Sequence, residues 1–391
     1  MKIGINLLYI RPGINGGTET YAREMIAHLG ALESEAEFIV YGLYPELRAW
    51  CEEFDNFRYH QVELPLLAVP ARILYEQTAF VRLLERSGID ALFSPGYVTP
   101  LWGDFQKITT VHDMFGFVCP QHFSRARSLY WRSLIPSSVR SSDAVVAVSD
   151  TTAADIERFI PEARAKLHVL KESVRSDLTP GPSRGAGPPE RPRSRLPERY
   201  ILSVSTLKPI KNIATLLQAF ALLGERYEGG VDLVLVGRDE LGSLRSLAEE
   251  LGIGEHVHFA GYVPSEELPL YYRAAAAFVL PSHYEGFGLP TLEAQACDCP
   301  VICSRTPALV EVAGEAALFF DPRSPEELAA VLATLLRDDG LADRLRAAGQ
   351  RNLERFSWAD SAARLHALIN VLVRNGSAAD GTSHRRGLHD G

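Results

Sequence analysis

Short runs of aliphatic and β-branched residues alternate along the chain with stretches whose apolar positions recur every three or four residues. In the first half the runs are Ile3–Leu8, Phe38–Gly42, Ala91–Ser94, Ile108–His112 and Ala144–Ser149. In the second they are Tyr200–Ser205, Leu233–Gly237, Val257–Ala260, Ala277–Pro281, Pro300–Ser304 and Ala316–Phe320. Each is apolar throughout rather than alternating, the pattern of parallel strands covered on both faces. Ile213–Leu223 carries a helical stripe (Ile213, Leu216, Leu217, Phe220, Leu223), with Asn212 placed to cap it. The pattern predicts an α/β protein of two doubly wound halves.

The halves are separated by Thr179–Pro197, a Pro-, Gly- and Arg-rich stretch that reads as a linker. The expected organisation is a first domain over 1–178, the linker over 179–197 and a second domain over 198–357. A C-terminal helix over 358–374 then returns to the first domain, and 375–391 form a polar, flexible tail.

Composition narrows the classes. The 391 residues are 46% hydrophobic and 23% charged, as in ordinary globular domains. A net charge of −9 argues against a nucleic-acid binder with a broad basic face. No apolar run approaches the roughly 20 residues that span a bilayer, and the opening MKIGINLLYIRPG has no signal-peptide pattern. The expectation is a cytoplasmic protein. Three of the five cysteines, Cys297, Cys299 and Cys303, are spaced C-x-C-x3-C, which is no zinc spacing and reads as buried small residues. No D-x-D pair is present to hold a divalent metal, so no metal site is expected.

Candidate chemistry gathers after strands. In Phe278–Ser304 a strand runs into a turn with Gly286 and Gly288 and then a helix expected to start at Pro290. Its first amides and dipole would favour a phosphate. Glu285 lies in the turn and Glu293 is assigned to the first helical turn; two carboxylates beside phosphates should address hydroxyls instead. The plain alternative is a surface turn and a helix with a dipole-compensating glutamate. Lys211, before the Ile213 helix, could neutralise a diphosphate leaving group, or could be a solvated surface lysine. The loop Arg11–Thr18 holds Gly13, Gly16 and Gly17, which could cradle phosphate or sugar, although it matches neither G-x-G-x-x-G nor a P-loop. His112 ends a strand and could bond a substrate hydroxyl or shuttle a proton, or simply bond its neighbouring carboxylate.

With these residues in view, the chain resembles the retaining glycosyltransferases of family four, which have the GT-B fold of two Rossmann-like lobes facing a central cleft. The E-x7-E motif, Glu285 to Glu293 in EGFGLPTLE, carries most of the resemblance. VHD, SLYWRS, VAVSDTT and HFAGYV follow the family's order, between the Gly16-Gly17 loop and Phe356-Ser357-Trp358. The resemblance implies that Glu293 bonds the ribose and Glu285 holds the transferred sugar. Gly286 and the backbone of Phe287, Gly288 and Leu289 would meet sugar and diphosphate. Lys211 would bind the diphosphate, Gly16 and Gly17 would cover it from the other lobe, and His112 would touch the sugar. Tyr262 and Val263 would line the base pocket. The family's usual arginine is absent, its two positions being Thr206 and Ile210, and Lys208 stands in as a point charge without a bidentate fork.

The implied activity is metal-independent transfer of a sugar, with retention, from a nucleoside diphosphate sugar that is co-substrate rather than cofactor. The acceptor would be a sugar, lipid-linked or glycan hydroxyl. TLKPIKN resembles a form common among mannosyltransferases of bacterial surface polysaccharides, which favours GDP-mannose. A basic, aromatic stretch over Phe123–Arg140 (Phe123, Arg125, Arg127, Tyr130, Trp131, Arg132, Arg140) could rest on anionic lipid at the inner membrane face. An ordinary helix with exposed arginines and buried aromatics is the alternative. The competing functions are a nucleotide-sugar epimerase of the same fold and a non-catalytic nucleotide-sugar-binding partner of another transferase.

Overall fold

The protein is described by a computed structural model covering residues 1–64, 69–122, 125–178, 196–224, 229–239 and 242–386. Residues 179–195 of the linker expected over 179–197 lie outside the described residues, as do the last residues, 387–391. The chain divides into two compact units, Met1–Glu172 with Ser357–Gly391, and Ser173–Phe356. Crossover falls at Glu172, before the Pro/Gly-rich stretch, because Val174 and Leu178 join the core of the second unit.

The first unit holds β1 (Lys2–Leu7), β2 (Glu37–Gly42), β3 (Phe57–Gln61), β4 (Ala91–Ser94), β5 (Gln106–Val111), β6 (Ala144–Ala147) and β7 (Leu167–Val169). They form one parallel sheet in the order β3-β2-β1-β4-β5-β6-β7. The direction of winding reverses between β1 and β4, the switch point where open α/β sheets place ligands. β3 and β7 are absent from the sequence expectation. Both are edge strands, partly exposed, so neither carries a continuous apolar run. The helix Trp358–Arg386 belongs to this unit and runs past Arg374 into the stretch expected to be a tail, as far as Arg386. Polar composition does not stop a helix when no proline intervenes. Trp358, Ala362, Leu365 and Ile369 are buried, Trp358 meets Tyr21 edge-on at 5.7 Å, and the Ser361 hydroxyl donates to the Lys171 carbonyl at 2.7 Å.

The second unit holds β8 (Tyr200–Val204), β9 (Asp232–Val236), β10 (Val257–Gly261), β11 (Ala277–Leu280), β12 (Val301–Ser304) and β13 (Ala317–Phe320), in the parallel order β10-β9-β8-β11-β12-β13. Alternate residues of each strand feed opposite cores. Leu233 and Leu235 of β9 pack with Ile213, Leu216 and Leu217 on one face. Val234 and Val236 pack with Tyr200, Leu202 and Phe278 on the other. Both faces being apolar explains why the strands read as unbroken runs. The switch point lies between β8 and β11.

One buried carboxyl in the first unit sets a pH dependence. Glu76, 1% exposed, accepts from the Asn6 side chain at 3.3 Å, while Arg72 Nε stands 3.9 Å from its other oxygen, too far for a hydrogen bond. Burial pushes its carboxyl up to about 7, against the opposing pull of Arg72 and Asn6. A carboxyl raised on folding binds more protons in the native state between its unfolded and folded values. Its contribution therefore falls as pH rises from about 4.3 to about 7, by on the order of 3 kcal/mol. Urea unfolding at pH 5 and pH 8 should show the wild-type protein losing roughly 2–3 kcal/mol relative to Glu76→Gln over that interval.

Candidate active site

At the carboxyl ends of β8 and β11 two loops are tied together by backbone and side chain. His283 N–H donates to the Ile210 carbonyl at 2.9 Å, and Asn212 Nδ2 donates to the carbonyls of Pro281 at 3.0 Å and Pro322 at 2.7 Å. Asn212 adopts a left-handed conformation, φ 56°, and its Oδ1 accepts from the Thr215 hydroxyl. Its side chain thus braces three segments rather than capping the Ile213 helix through a backbone amide.

This bracing brings Lys211 and Glu285 together, 74 residues apart in sequence, with Nζ to Oε1 at 2.6 Å. The Ser282 hydroxyl donates to the same oxygen at 2.6 Å. Both members of the pair are partly buried, so the interaction is only weakly screened by salt. Gly288 follows with φ 105°, and a Cβ there would stand 2.5 Å from Leu309 Cδ2. It caps the helix Leu289–Ala296, which begins one residue before the expected Pro290. Phe287 is buried edge-on against Phe356 at 5.7 Å, which leaves its backbone, not its ring, to line the turn. Gly286 lies in the same turn.

Glu293 is the fifth residue of that helix, so it occupies the second turn rather than the first. It is buried, and the Tyr272 hydroxyl donates to its Oε2 at 2.9 Å. Burial pushes its carboxyl above the usual range; Arg175 and the Tyr272 hydrogen bond pull it back, and Asp177 pushes it up. Arg175 is itself forked onto Asp177 at 2.9 and 2.6 Å and donates to the Ser265 carbonyl at 3.1 Å. Sequence reading missed Tyr272 and Arg175. One sits on an apolar helix and reads as core; the other lies beside the Pro/Gly-rich stretch.

Thr206 and Lys208 are exposed on the loop after β8, and Ile210 is buried. Beyond β9 and β10, Gly237 N–H donates to the Gly261 carbonyl at 2.8 Å. This places Arg238 over the Tyr262 ring at 5.7 Å, with Tyr262 55% exposed. Val263 points the other way, into the core, so only its backbone is available to a ligand. Cys297, Cys299 and Cys303 are buried, and burial pushes the Cys297 and Cys303 thiols up to about 12.

In the first unit His112 is buried, with Nε2 2.7 Å from the Pro95 carbonyl and Nδ1 3.2 Å from Glu172 Oε1. A carbonyl only accepts, so Nε2 carries a proton. The carboxylate partner is Glu172, not Asp113, which accepts from the Tyr97 hydroxyl and the Phe115 amide. With both nitrogens engaged, His112 braces the ends of β4 and β5; reaching a sugar would require breaking one of these bonds. In the glycine loop, Gly13 N–H donates to the Glu19 carboxylate and Arg11 N–H to Asn15 Oδ1. Gly16, φ 56°, stands in open space, and Gly17 opens the helix Gly17–Gly30.

Of the basic, aromatic stretch, Phe123 and the side chains of Arg125, Arg127 and Tyr130 lie outside the described residues. Trp131 packs on the core, Arg132 covers the Phe117 ring, and Arg140 pairs with Glu162. Among the described residues no helix is long and apolar enough to cross a membrane.

Each unit is thus a Rossmann-like parallel sheet, as in the GT-B fold, and in the second a Lys–Glu pair and the start of the helix Leu289–Ala296 lie at the switch point. Residues 15–177 match the family described as Glycosyltransferase Family 4, and residues 189–352 that described as Glycosyl transferases group 1. The chain belongs to this family of glycosyltransferases. O-antigen chain mannosyltransferase B of Escherichia coli is 34% identical over 257 residues, 65% of this chain and 67% of that protein. MMP alpha-(1->4)-mannosyltransferase of Mycolicibacterium hassiacum is 36% identical over 235 residues, 59% of this chain and 54% of that protein. Among solved structures, sucrose-phosphate synthase of Thermosynechococcus elongatus superposes with a TM-score of 0.75 at 22% identity, covering 96% of this chain and all of that one.

Proposed function

We propose that the protein is a retaining mannosyltransferase that takes mannose from GDP-mannose and passes it to an acceptor hydroxyl in the assembly of a bacterial surface polysaccharide or glycolipid. The observation that carries the reading is the Lys211–Glu285 pair beside the start of the helix Leu289–Ala296. A diphosphate arriving there exchanges the carboxylate for itself as the partner of Lys211, and the released Glu285 is left to accept from sugar hydroxyls. Lys208 and the first helix amides add positive potential for the departing phosphate. Attack on the same face as the leaving group, assisted by the phosphate, then needs positioning and charge stabilisation rather than a protein nucleophile. The mannosyltransferase relatives support the sugar, and guanine follows from it as the base of the common activated mannose.

The test is a panel of nucleotide sugars, measured for binding and slow hydrolysis with and without EDTA. GDP-mannose should be preferred and cleaved at the same rate in both conditions. A preferred UDP-sugar would overturn the donor, and loss of cleavage in EDTA would overturn metal independence. An isomerised donor would point to an epimerase. Binding of none would put the non-catalytic partner first.

A further inference from the structure

We infer that Tyr272 is a positioning residue that sets Glu293 for the hydroxyls of the nucleotide ribose. The inference rests on the reading that Glu293 meets the ribose. Tyr272 is fully buried on the helix Leu268–Ala274, its ring held edge-on by Phe278 at 5.4 Å, so its hydroxyl has one place to point. That hydroxyl donates to Glu293 Oε2 at 2.9 Å. Among the described residues the Glu293 carboxylate accepts no other protein hydrogen bond, which leaves Oε1 as the oxygen available to a ligand.

A carboxylate can rotate about its last torsion and offer either oxygen. The bond from Tyr272 removes that freedom and presents one acceptor in a fixed direction. It also favours the ionised form that a pair of donor hydroxyls requires. The tyrosine serves as a permanent donor: burial, reinforced by the charge of Glu293, pushes its own ionisation well above the usual value. The charged and titratable groups facing the Glu293 carboxylate are Arg175, Tyr272, Asp177 and the Cys297 thiol, and only Tyr272 makes a hydrogen bond to it.

The experiment compares binding of GDP with 2′-deoxy-GDP, and UDP with 2′-deoxy-UDP, to the full-length protein and three variants. Tyr272→Phe keeps the ring and removes only the hydroxyl. It should weaken ribonucleotide binding about tenfold, as loss of a hydrogen bond to a charged group does. The preference over the 2′-deoxy form should shrink towards one, and the pH below which affinity is lost should move up. At saturating donor, kcat should stay within about twofold, since only uniform binding is lost. Phe278→Leu, which loosens the same ring but keeps the hydroxyl, should lower thermal stability and shrink the preference less than Tyr272→Phe does. Unchanged preference and pH profile in Tyr272→Phe, alongside a collapsed preference in Glu293→Gln, would overturn the inference while sparing the ribose reading. No preference in the wild type, or an unchanged one in Glu293→Gln, would overturn the ribose reading itself.

Discussion

Glu285→Ala is expected to remove sugar transfer, with kcat falling by about 10²–10³ or more, while GDP binds nearly as before. The geometry separates the two effects. Glu285 accepts from Lys211 and Ser282, and in the proposed cycle its carboxylate is needed only once the lysine has turned to the diphosphate. Truncating it leaves Lys211 unpaired and therefore more available to the nucleotide, so GDP affinity should hold or rise slightly. Turnover with the preferred donor, paired with calorimetric titration of GDP, checks both halves. Full turnover would remove Glu285 from the chemistry. A fall in affinity as large as the fall in turnover would reassign it to the nucleotide.

The largest loss of stability is expected at Gly237. It sits at φ 138°, where side chains are rarely tolerated, and a Cβ would run into the backbone carbonyl oxygen of Ser205. Neither group can step aside cheaply. Ser205 N–H is bonded to the Val236 carbonyl at 3.0 Å, and Gly237 N–H to the Gly261 carbonyl. Gly237→Ala should cost on the order of 3–5 kcal/mol and lower the unfolding temperature by roughly 10 °C. Gly252→Ala is the control: φ is 71° but the space around it is open, so it should cost only about 1–2 kcal/mol of left-handed strain. Calorimetry that finds the two variants alike would show that the loop after β9 can move away.

Much of this architecture is visible in the residues because the strands buried on both faces, such as Leu233–Val236, have no polar position to disguise them. The edge strands β3 and β7 are hidden by their own exposure, and Phe57–Gln61 reads as surface. The Gly286–Glu293 turn is legible because a strand end, two glycines and a proline fall within a dozen residues. What no periodicity reveals is long-range pairing. Nothing local says that Lys211 will meet Glu285, that His112 will choose Glu172 over adjacent Asp113, or that Tyr272 will aim at Glu293. Each pairing depends on which strands become neighbours, and strand order is not written in any one segment.

The first unit is discontinuous: its last helix begins at Trp358, after the whole of Ser173–Phe356 has been made. During synthesis the second unit can therefore finish folding while the first still waits for Trp358, Ala362, Leu365 and Ile369 to cover the apolar side of Tyr21 and its neighbours. The unit whose strands are made first therefore cannot complete its core until the whole of the second unit has been made.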